Sequence, residues 1–173
     1  AHGALAMLLW KVGRRSEAAE AVGLAAEREP DNEKHRFNLG TFYLETGEDL
    51  KAGECFKQAL EINPNLPEVY LNLGIVARRN GDMASAEKLY RTALDRDGAN
   101  LEAMANLGHL LTDIGRYPEA GEVFGRARSV NPGLLDVNLG FAVCSAAQGR
   151  TDALVPVAQA MIPALFGPSL GSP

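Results

Sequence analysis

Apolar and small side chains recur along the chain at a spacing that suits pairs of amphipathic helices. Leu39 and Tyr43 lie on one helical stripe, and the small Gly40 lies beside them. A second stripe at helical spacing follows, made of Ala52, Phe56, Ala59 and Leu60. Between the two stripes stands Gly47, a residue type at which helices commonly end. The pattern predicts two helices joined by a short turn.

Glycines recur every 34 residues, at Gly13, Gly47, Gly81, Gly115 and Gly149. A fixed spacing of this kind is the signature of a repeat architecture. The predicted units are repeat 1 at 1–32, which lacks its first two positions, then repeats 2 to 5 at 33–66, 67–100, 101–134 and 135–168, with a tail at 169–173. The clipped repeat 1 and the start of the chain at Ala1 favour processing or excision from something longer, and the sequence alone does not decide this.

Side chains of matching size recur at the same repeat positions. Position 8 is small, with Ala6, Gly40, Gly74, Gly108 and Ala142, whereas position 24 holds Val22, Phe56, Tyr90, Phe124 and Ala158. Small residues let helices cross closely, and no single unit can bury its apolar stripe alone, so neighbouring units must stack. Repeat 5 departs from the pattern at Leu154 and Pro156, and we expect a degenerate or capping repeat there.

These positions resemble the tetratricopeptide repeat, whose signature is Trp-x2-Leu-Gly-x2-Tyr, then Ala-x3-Phe, then Pro, within 34 residues. Repeat 2 matches it through Leu39, Gly40, Tyr43, Ala52, Phe56 and Pro64, with Arg36 in place of the leading aromatic residue. The resemblance covers nearly the whole chain. It implies an all-α fold, a right-handed α-solenoid of antiparallel helix pairs with about five repeats.

Composition and charge narrow the classes of partner. The formal net charge is −5 and the pI is about 5.2, with no long run of basic residues, which argues against nucleic acid. We see no signal peptide or membrane span and so expect no membrane insertion and a cytoplasmic location. Cys55 and Cys144 lack metal-type spacing, and we expect both to be buried free thiols.

No combination of residues indicates catalysis. His2, His35 and His109 are far apart in the sequence, and no HExxH motif or phosphate-binding loop is present. Carboxylates such as Glu17 and Glu20 lie near basic side chains on predicted helix surfaces, where weak ion pairs explain them. We therefore predict no enzyme activity, no catalytic residue, no metal site and no cofactor.

The family resemblance implies a concave surface lined by the first helix of each repeat, where an extended or helical peptide segment binds. On this resemblance the groove residues are Lys34, Phe37, Asn38, Thr41, Glu45, Leu71, Asn72, Ile75, Arg78, Arg79, Ala105, Asn106, His109 and Asp113. Three of them are asparagines one repeat apart, and this array resembles the asparagine ladder of the O-linked N-acetylglucosamine transferase superhelix. An Asn amide can both donate to and accept from a peptide backbone.

Several roles stay open at this stage. Asparagine is common at this repeat position across the family, so the ladder is either a set of ligand contacts or a residue preference of the family with no binding role. Arg78 and Arg79 either bind acidic groups or are solvated, and Trp10 is either a groove anchor or a residue exposed by a missing upstream repeat. The carboxylate clamp known in part of the family cannot be assembled, because position 5 holds Phe37 and Leu71 where that clamp needs lysine.

Three functions fit these observations. The first is a protein-interaction scaffold that binds a protein or peptide partner. The second is the substrate-recruiting arm of a larger enzyme such as a glycosyltransferase. The third is a homo-oligomer that self-associates through exposed repeat ends, because uncapped apolar faces can pair. The sequence names neither the partner nor the pathway.

Overall fold

The computed structural model of the protein describes residues 2–151 and Val155, and within them it contains nine α-helices and no strand. In chain order the helices are α1 (His2–Lys11), α2 (Arg15–Arg28), α3 (Glu33–Glu45), α4 (Asp49–Ile62), α5 (Pro67–Arg79), α6 (Met83–Arg96), α7 (Leu101–Asp113), α8 (Tyr117–Val130) and α9 (Leu135–Ala147). The predicted all-α class of paired helices is confirmed. Apart from Val155, the predicted second helix of repeat 5, with Leu154 and Pro156, lies outside the described residues, and so does the tail at 169–173.

A glycine ends the first helix of each repeat in the same left-handed turn. Gly13, Gly47 and Gly81 each have a φ of 81°, and Gly115 and Gly149 have φ values of 78° and 70°. In repeat 2 the amide of Glu48 donates to the carbonyl of Tyr43 across this turn at 2.8 Å. A side chain at such a φ is strained, so the recurring glycines are backbone requirements. The predicted turn positions are confirmed.

The second helix of each of the first four repeats begins with a local polar pair between repeat positions 16 and 19. Three are ion pairs, Arg14–Glu17 at 2.5 Å, Lys51–Glu48 at 2.6 Å and Arg116–Glu119 at 2.6 Å, and in the fourth the Ser85 amide donates to Asp82 at 3.0 Å. The hydrogen bond from Arg116 lowers the pKa of Glu119. The ion pairs are solvent-exposed, so each contributes little to stability.

The helices form two compact units, residues 1–89 and residues 90–173. In the first unit, α1 packs on α2, α2 on α3, α3 on α4, and α4 on α5, while α3 also contacts α5. Two clusters of buried residues belong to its core. The first contains Ala6, Leu9, Ala18, Ala21 and Val22, and the second contains Leu44, Ala52, Phe56, Ala59, Val69 and Val76.

The small residue at position 8 of repeat 2 makes room for the ring at position 24. Phe56 is fully buried, and a Cβ built on Gly40 would lie 2.6 Å from its ring. Burial of a phenylalanine side chain contributes about 1.5–3 kcal/mol relative to an exposed one. Glycine is therefore needed at Gly40 for the ring as much as for the close crossing of two helices.

In the second unit, α7 packs on α8, and α9 packs on both of them. Phe124 is fully buried beside Gly108, where a Cβ would again lie 2.6 Å from the ring. The buried Asn138 is satisfied, because it accepts from Arg128 at 2.8 Å and donates to the Pro132 carbonyl at 2.8 Å. A buried polar group with both bonds made costs little and fixes one local arrangement.

Both cysteines are free and buried, as the sequence predicts. Desolvation is the main cause that raises the pKa of the Cys55 thiol, so this cysteine is a poor nucleophile at neutral pH. Cys144 is fully buried, with its sulfur 3.4 Å from the Thr112 hydroxyl. These thiols belong to the core.

Candidate functional site

Most predicted groove residues of the first unit lie on α3 and α5, two helices that contact each other. Phe37, Asn38, Thr41 and Glu45 belong to α3, together with Lys34 in its first turn, and Leu71, Asn72, Ile75, Arg78 and Arg79 belong to α5. Lys34 and Glu45 are exposed, and most of the others are partly exposed. Leu71 is only 4% exposed, so its side chain belongs mainly to the core.

The three predicted ladder asparagines differ in their hydrogen bonding. The half-buried amides of Asn38 and Asn72 make no side-chain hydrogen bond to any residue that the structure describes. Asn106, in the second unit, donates its amide to the carbonyl of Glu102 at 2.9 Å, within its own helix. Asn38 and Asn72 therefore keep their donors and acceptors available for a ligand, whereas Asn106 has engaged one donor.

Arg79 is bound inside the first unit. Its guanidinium donates to the carbonyl of Leu44 at 2.8 Å and to the carboxylate of Asp49 at 3.1 Å, while its side chain stays 47% exposed. These contacts join the end of α5 to the last turn of α3 and to the first residue of α4. The sequence alone gives no signal for this contact, because Leu44 and Arg79 are 35 residues apart.

The predicted residues of the second unit, Ala105, Asn106, His109 and Asp113, all lie on α7. His109 is held in place, with its Nε2 2.8 Å from the carboxylate of Asp136 and its ring edge-on to Phe124 at 5.1 Å. On α9, Leu139 and Val143 are 48% and 53% exposed. They occupy positions 5 and 9, as Phe37 and Thr41 do in repeat 2, and the sequence prediction left them out although this alignment could have found them.

A pocket of about 260 Å³ opens in the first unit between the α1–α2 pair and α3. Its lining residues are Ala6, Trp10, Lys11, Ala18, Val22, Phe37, Asn38, Thr41, Phe42 and Glu45, and we call this site the repeat-1 pocket. Four of them, Phe37, Asn38, Thr41 and Glu45, are predicted groove residues. The accessible surface of the pocket is mostly apolar, which suits an apolar side chain better than a charged ligand.

Trp10 and Phe42 form the aromatic wall of the repeat-1 pocket. Their rings meet edge-on, with centroids 5.6 Å apart. Edge-on pairs of this kind contribute about 0.5–1.5 kcal/mol beyond the area that they bury. Trp10 is half-buried rather than exposed. The role of Trp10 as a groove anchor stays a prediction.

Lys11 and Glu45 add opposite charges to the lining. Both side chains are exposed, and neither forms an ion pair with any residue in the described part of the chain. Thr41, by contrast, donates its hydroxyl to the carbonyl of Phe37 at 3.1 Å and is engaged within its own helix. The polar groups left for a ligand at this site are thus Lys11, Glu45 and the Asn38 amide.

The described residues offer no grouping for a metal ion and no helix that could span a membrane. Among residues 2–151, no three His, Cys, Asp or Glu side chains are grouped so that they could hold a metal ion. None of the described helices has the length and apolarity needed to cross a membrane. The repeat-1 pocket and the two free asparagines are therefore the features that carry a functional argument.

Three comparisons with known proteins bear on identity. Two tetratricopeptide repeat models match the chain, one over residues 32–99 and one over residues 71–134, so that together they cover more than half of it. Among curated protein sequences none matches the chain at a significant level.

Similar solved structures share the fold at low sequence identity. A MamA crystal structure has a TM-score of 0.79 at 18% identity, covering 99% of this chain and 96% of that one. PilF of Pseudomonas aeruginosa has a TM-score of 0.84 at 19% identity, covering 98% and 77%. YrrB, described as a tetratricopeptide repeat protein with an unusual peptide-binding site, has a TM-score of 0.71 at 20% identity, covering 93% and 83%. With its glycine-ended helix pairs and its two family matches, the chain belongs to the tetratricopeptide repeat family.

Proposed function

We propose that this protein is an interaction scaffold that binds an extended peptide segment along the first helices of its repeats. The observation that carries the proposal is the pair of half-buried, unbonded amides of Asn38 and Asn72 on the neighbouring helices α3 and α5. The tetratricopeptide repeat family and the similarity to YrrB, a protein with a peptide-binding site, support it.

The two amides suit recognition of a peptide backbone. Each Asn side chain has two donor hydrogens and an acceptor oxygen, so it can pair with both polar groups of one peptide unit. Phe37 and Ile75 lie on the same two helices and add apolar area beside the amides. This combination binds a segment mainly through its backbone and shape, while pockets select particular side chains. The other predicted groove residues of α3 and α5 belong to the same proposed surface, and those of α7 stay a prediction for the second unit.

Removal of the two amides tests the proposal. Peptides selected from a randomised twelve-residue display library would be titrated by fluorescence anisotropy against the wild type and against Asn38→Ala/Asn72→Ala. We expect the double variant to bind roughly ten-fold more weakly, because each lost hydrogen bond costs about 0.5–1.5 kcal/mol. Helicity should be unchanged, since neither amide supports a described contact.

Two further variants control this experiment. Gln58→Ala removes an exposed amide from α4, outside the proposed surface, and should leave affinity unchanged. Asn106→Ala should have a smaller effect than Asn38→Ala, because the Asn106 amide already donates within its own helix. Equal affinity of the wild type and the Asn38→Ala/Asn72→Ala variant would place the ligand elsewhere.

Self-association is a second candidate, favoured by the exposed apolar residues of α1. Leu8 at repeat position 10 is 60% exposed, whereas Val76, Leu110 and Cys144 at the same position are at most 8% exposed. Leu5 of α1 and Val12, the residue after its end, are exposed on the same side. Light scattering across concentration should show a dimer or larger species that Leu8→Glu disrupts and Leu50→Glu, on the exposed face of α4, does not. A constant monomer mass would rule this candidate out.

A further inference from the structure

We infer that the repeat-1 pocket is a ring-binding site left open by this repeat, and that it takes an aromatic side chain from the bound peptide. The inference rests on the proposed peptide-binding function and names the side chain that this surface selects. It is carried by a comparison of equivalent positions within the same chain.

Repeat position 24 holds a buried ring in repeats 2 and 4 but not in repeat 1. Phe56 and Phe124 are both fully buried at this position, whereas repeat 1 has Val22 there. Valine lacks most of the volume of a phenyl ring. Tyr90 of repeat 3 is fully buried at this position as well. Val22 lines the repeat-1 pocket, so the open space lies beside the position from which a ring projects in repeats 2, 3 and 4.

The walls of the repeat-1 pocket correspond to the walls around Phe124. That ring lies against Gly108 at position 8 of its own repeat and against Gly140 at position 6 of the next repeat. The equivalent residues in the first unit are Ala6 and Asn38, and both line the repeat-1 pocket. The pocket therefore occupies the place that a ring fills in repeat 4.

Repeat 1 differs from repeats 2 and 4 at position 8 as well as at position 24. A Cβ at Gly40 or Gly108 would lie 2.6 Å from the neighbouring ring, too close for both groups to remain in place. Ala6 carries such a Cβ, so it opposes a phenylalanine at Val22 in the orientation seen elsewhere. The Ala–Val combination keeps the site from being filled by the chain itself, whereas the Gly–Phe combination fills it.

The size of the pocket fits one ring. Its volume of about 260 Å³ exceeds the roughly 150 Å³ of an engineered cavity that binds benzene, and it is below the roughly 300–1,000 Å³ of pockets for drug-sized ligands. Trp10 and Phe42 offer aromatic edges to such a ring. A phenylalanine or tryptophan side chain of the partner is thus the matching ligand, rather than a free cofactor.

Charge at the pocket adds a second criterion for the partner. The exposed Lys11 attracts a carboxylate, the exposed Glu45 attracts a basic group, and neither is paired within the described part of the chain. The preferred segment therefore has an aromatic residue with an acidic neighbour for Lys11 and a basic neighbour for Glu45. The free Asn38 amide lies in the same lining and can bind the peptide unit of that aromatic residue.

The test uses N-acetyl-phenylalaninamide as the probe, with N-acetyl-glycinamide as the ringless control. Binding is followed by chemical shifts of the pocket amides and by fluorescence of Trp10, the only tryptophan in the chain. We expect saturable binding with a Kd on the order of 1 mM for the phenyl probe, a value typical of a ligand this small, and none for the glycine probe.

The variant Ala6→Gly/Val22→Phe restores the residue pair of repeats 2 and 4 and should fill the pocket. We expect it to weaken binding of the phenyl probe at least ~10-fold, since one good apolar anchor is worth a factor of this order. Leu24→Phe adds a ring at a half-exposed position of the same helix and should leave binding unchanged. Should the double variant lose its helical signal, Val22→Met fills the pocket beside an unchanged Ala6 and decides the question.

Saturable binding that persists in the folded filled-pocket variant overturns the inference, and so does the absence of saturable binding to the wild type. The two proposals fail separately. Display-selected peptides that bind equally well to the wild type and to the filled-pocket variant would leave the scaffold function standing and remove the ring site. Binding of the phenyl probe without capture of any peptide would leave the ring site standing and remove the scaffold function.

Discussion

Repeats 1 and 4 build the same helix pair around different interiors. In repeat 4 the ring of Phe124 fills the space beside Gly108, and in repeat 1 the residues Ala6 and Val22 leave a pocket of about 260 Å³. Both repeats end their first helix in a left-handed glycine turn and start the second with an Arg–Glu pair. The two repeats thus differ at positions 8 and 24, while their backbone signals stay the same.

The largest expected difference between these repeats is in stability. Phe124→Ala should lower the free energy of unfolding by about 3–5 kcal/mol, because it empties a fully buried site. Val22→Ala should cost only about 1–2 kcal/mol, at roughly 0.8 kcal/mol per methylene group beside a pocket that is already open. Urea unfolding followed by circular dichroism measures both. Equal losses would mean that repeat 1 is as tightly packed as repeat 4.

Added volume should affect the closed repeat and spare the open one. Gly140→Ala places a Cβ against the Phe124 ring, so we expect a net loss of about 1–2 kcal/mol after the gain in helix propensity. Gly23→Ala on α2 is the matched control, because its Cβ meets nothing within 4 Å and should stabilise the helix by about 0.5–1 kcal/mol. Thermal unfolding of the two variants should shift in opposite directions, and a shared sign would contradict the packing seen around Phe124.

The contact between Asp136 and His109, whose ring lies edge-on to Phe124, should contribute less to the free energy of unfolding. Asp136→Ala releases His109, which lies edge-on to that ring, and should cost about 0.5 kcal/mol because Asp136 is 68% exposed. Glu122→Ala, an exposed carboxylate on α8, serves as the control with no expected loss. Urea midpoints suffice for the comparison. A loss several-fold larger for Asp136→Ala would show that His109 helps to close repeat 4.

The smallest effect concerns the polar pair that starts α8. Arg116 lowers the folded pKa of Glu119, so the stability from this pair is fully present above the unfolded value near 4.3 and disappears as pH falls through the folded value. As the pH falls from about 5 to about 3, the midpoint of thermal unfolding should therefore decrease less in Glu119→Gln than in the wild type. An identical decline in both proteins would show that the pair makes no pH-dependent contribution.

The sequence predicts most of this fold because its determinants are local and repeated. Gly47 and its equivalents mark the helix ends through backbone geometry that only glycine adopts easily, and a fixed period reveals them without any knowledge of contacts. The groove residues that the family resemblance implies include Phe37, Asn38 and Glu45, and the structure shows that all three line the repeat-1 pocket from one face of α3. The binding role of that lining stays a prediction.

Other features of the site depend on contacts that no local pattern encodes. Arg79 reaches the carbonyl of Leu44, and His109 reaches Asp136, each in a neighbouring repeat. The repeat-1 pocket is harder still to predict, because its signal is a missing ring. Val22 differs visibly from Phe56 at the same position, yet the meaning of that difference appears only when Gly40 is seen against the ring.

The pairing of repeat positions 8 and 24 offers protein engineering two positions per repeat at which the interior could be opened or filled. Because Gly–Phe closes the interior and Ala–Val opens it within one chain, exchanging the two pairs should move a ligand site from repeat to repeat by whole 34-residue steps. The spacing between aromatic residues in a bound peptide would then be set by which repeats carry the open pair. A designed array could be matched to a chosen peptide by choosing the residues at positions 8 and 24 of each repeat.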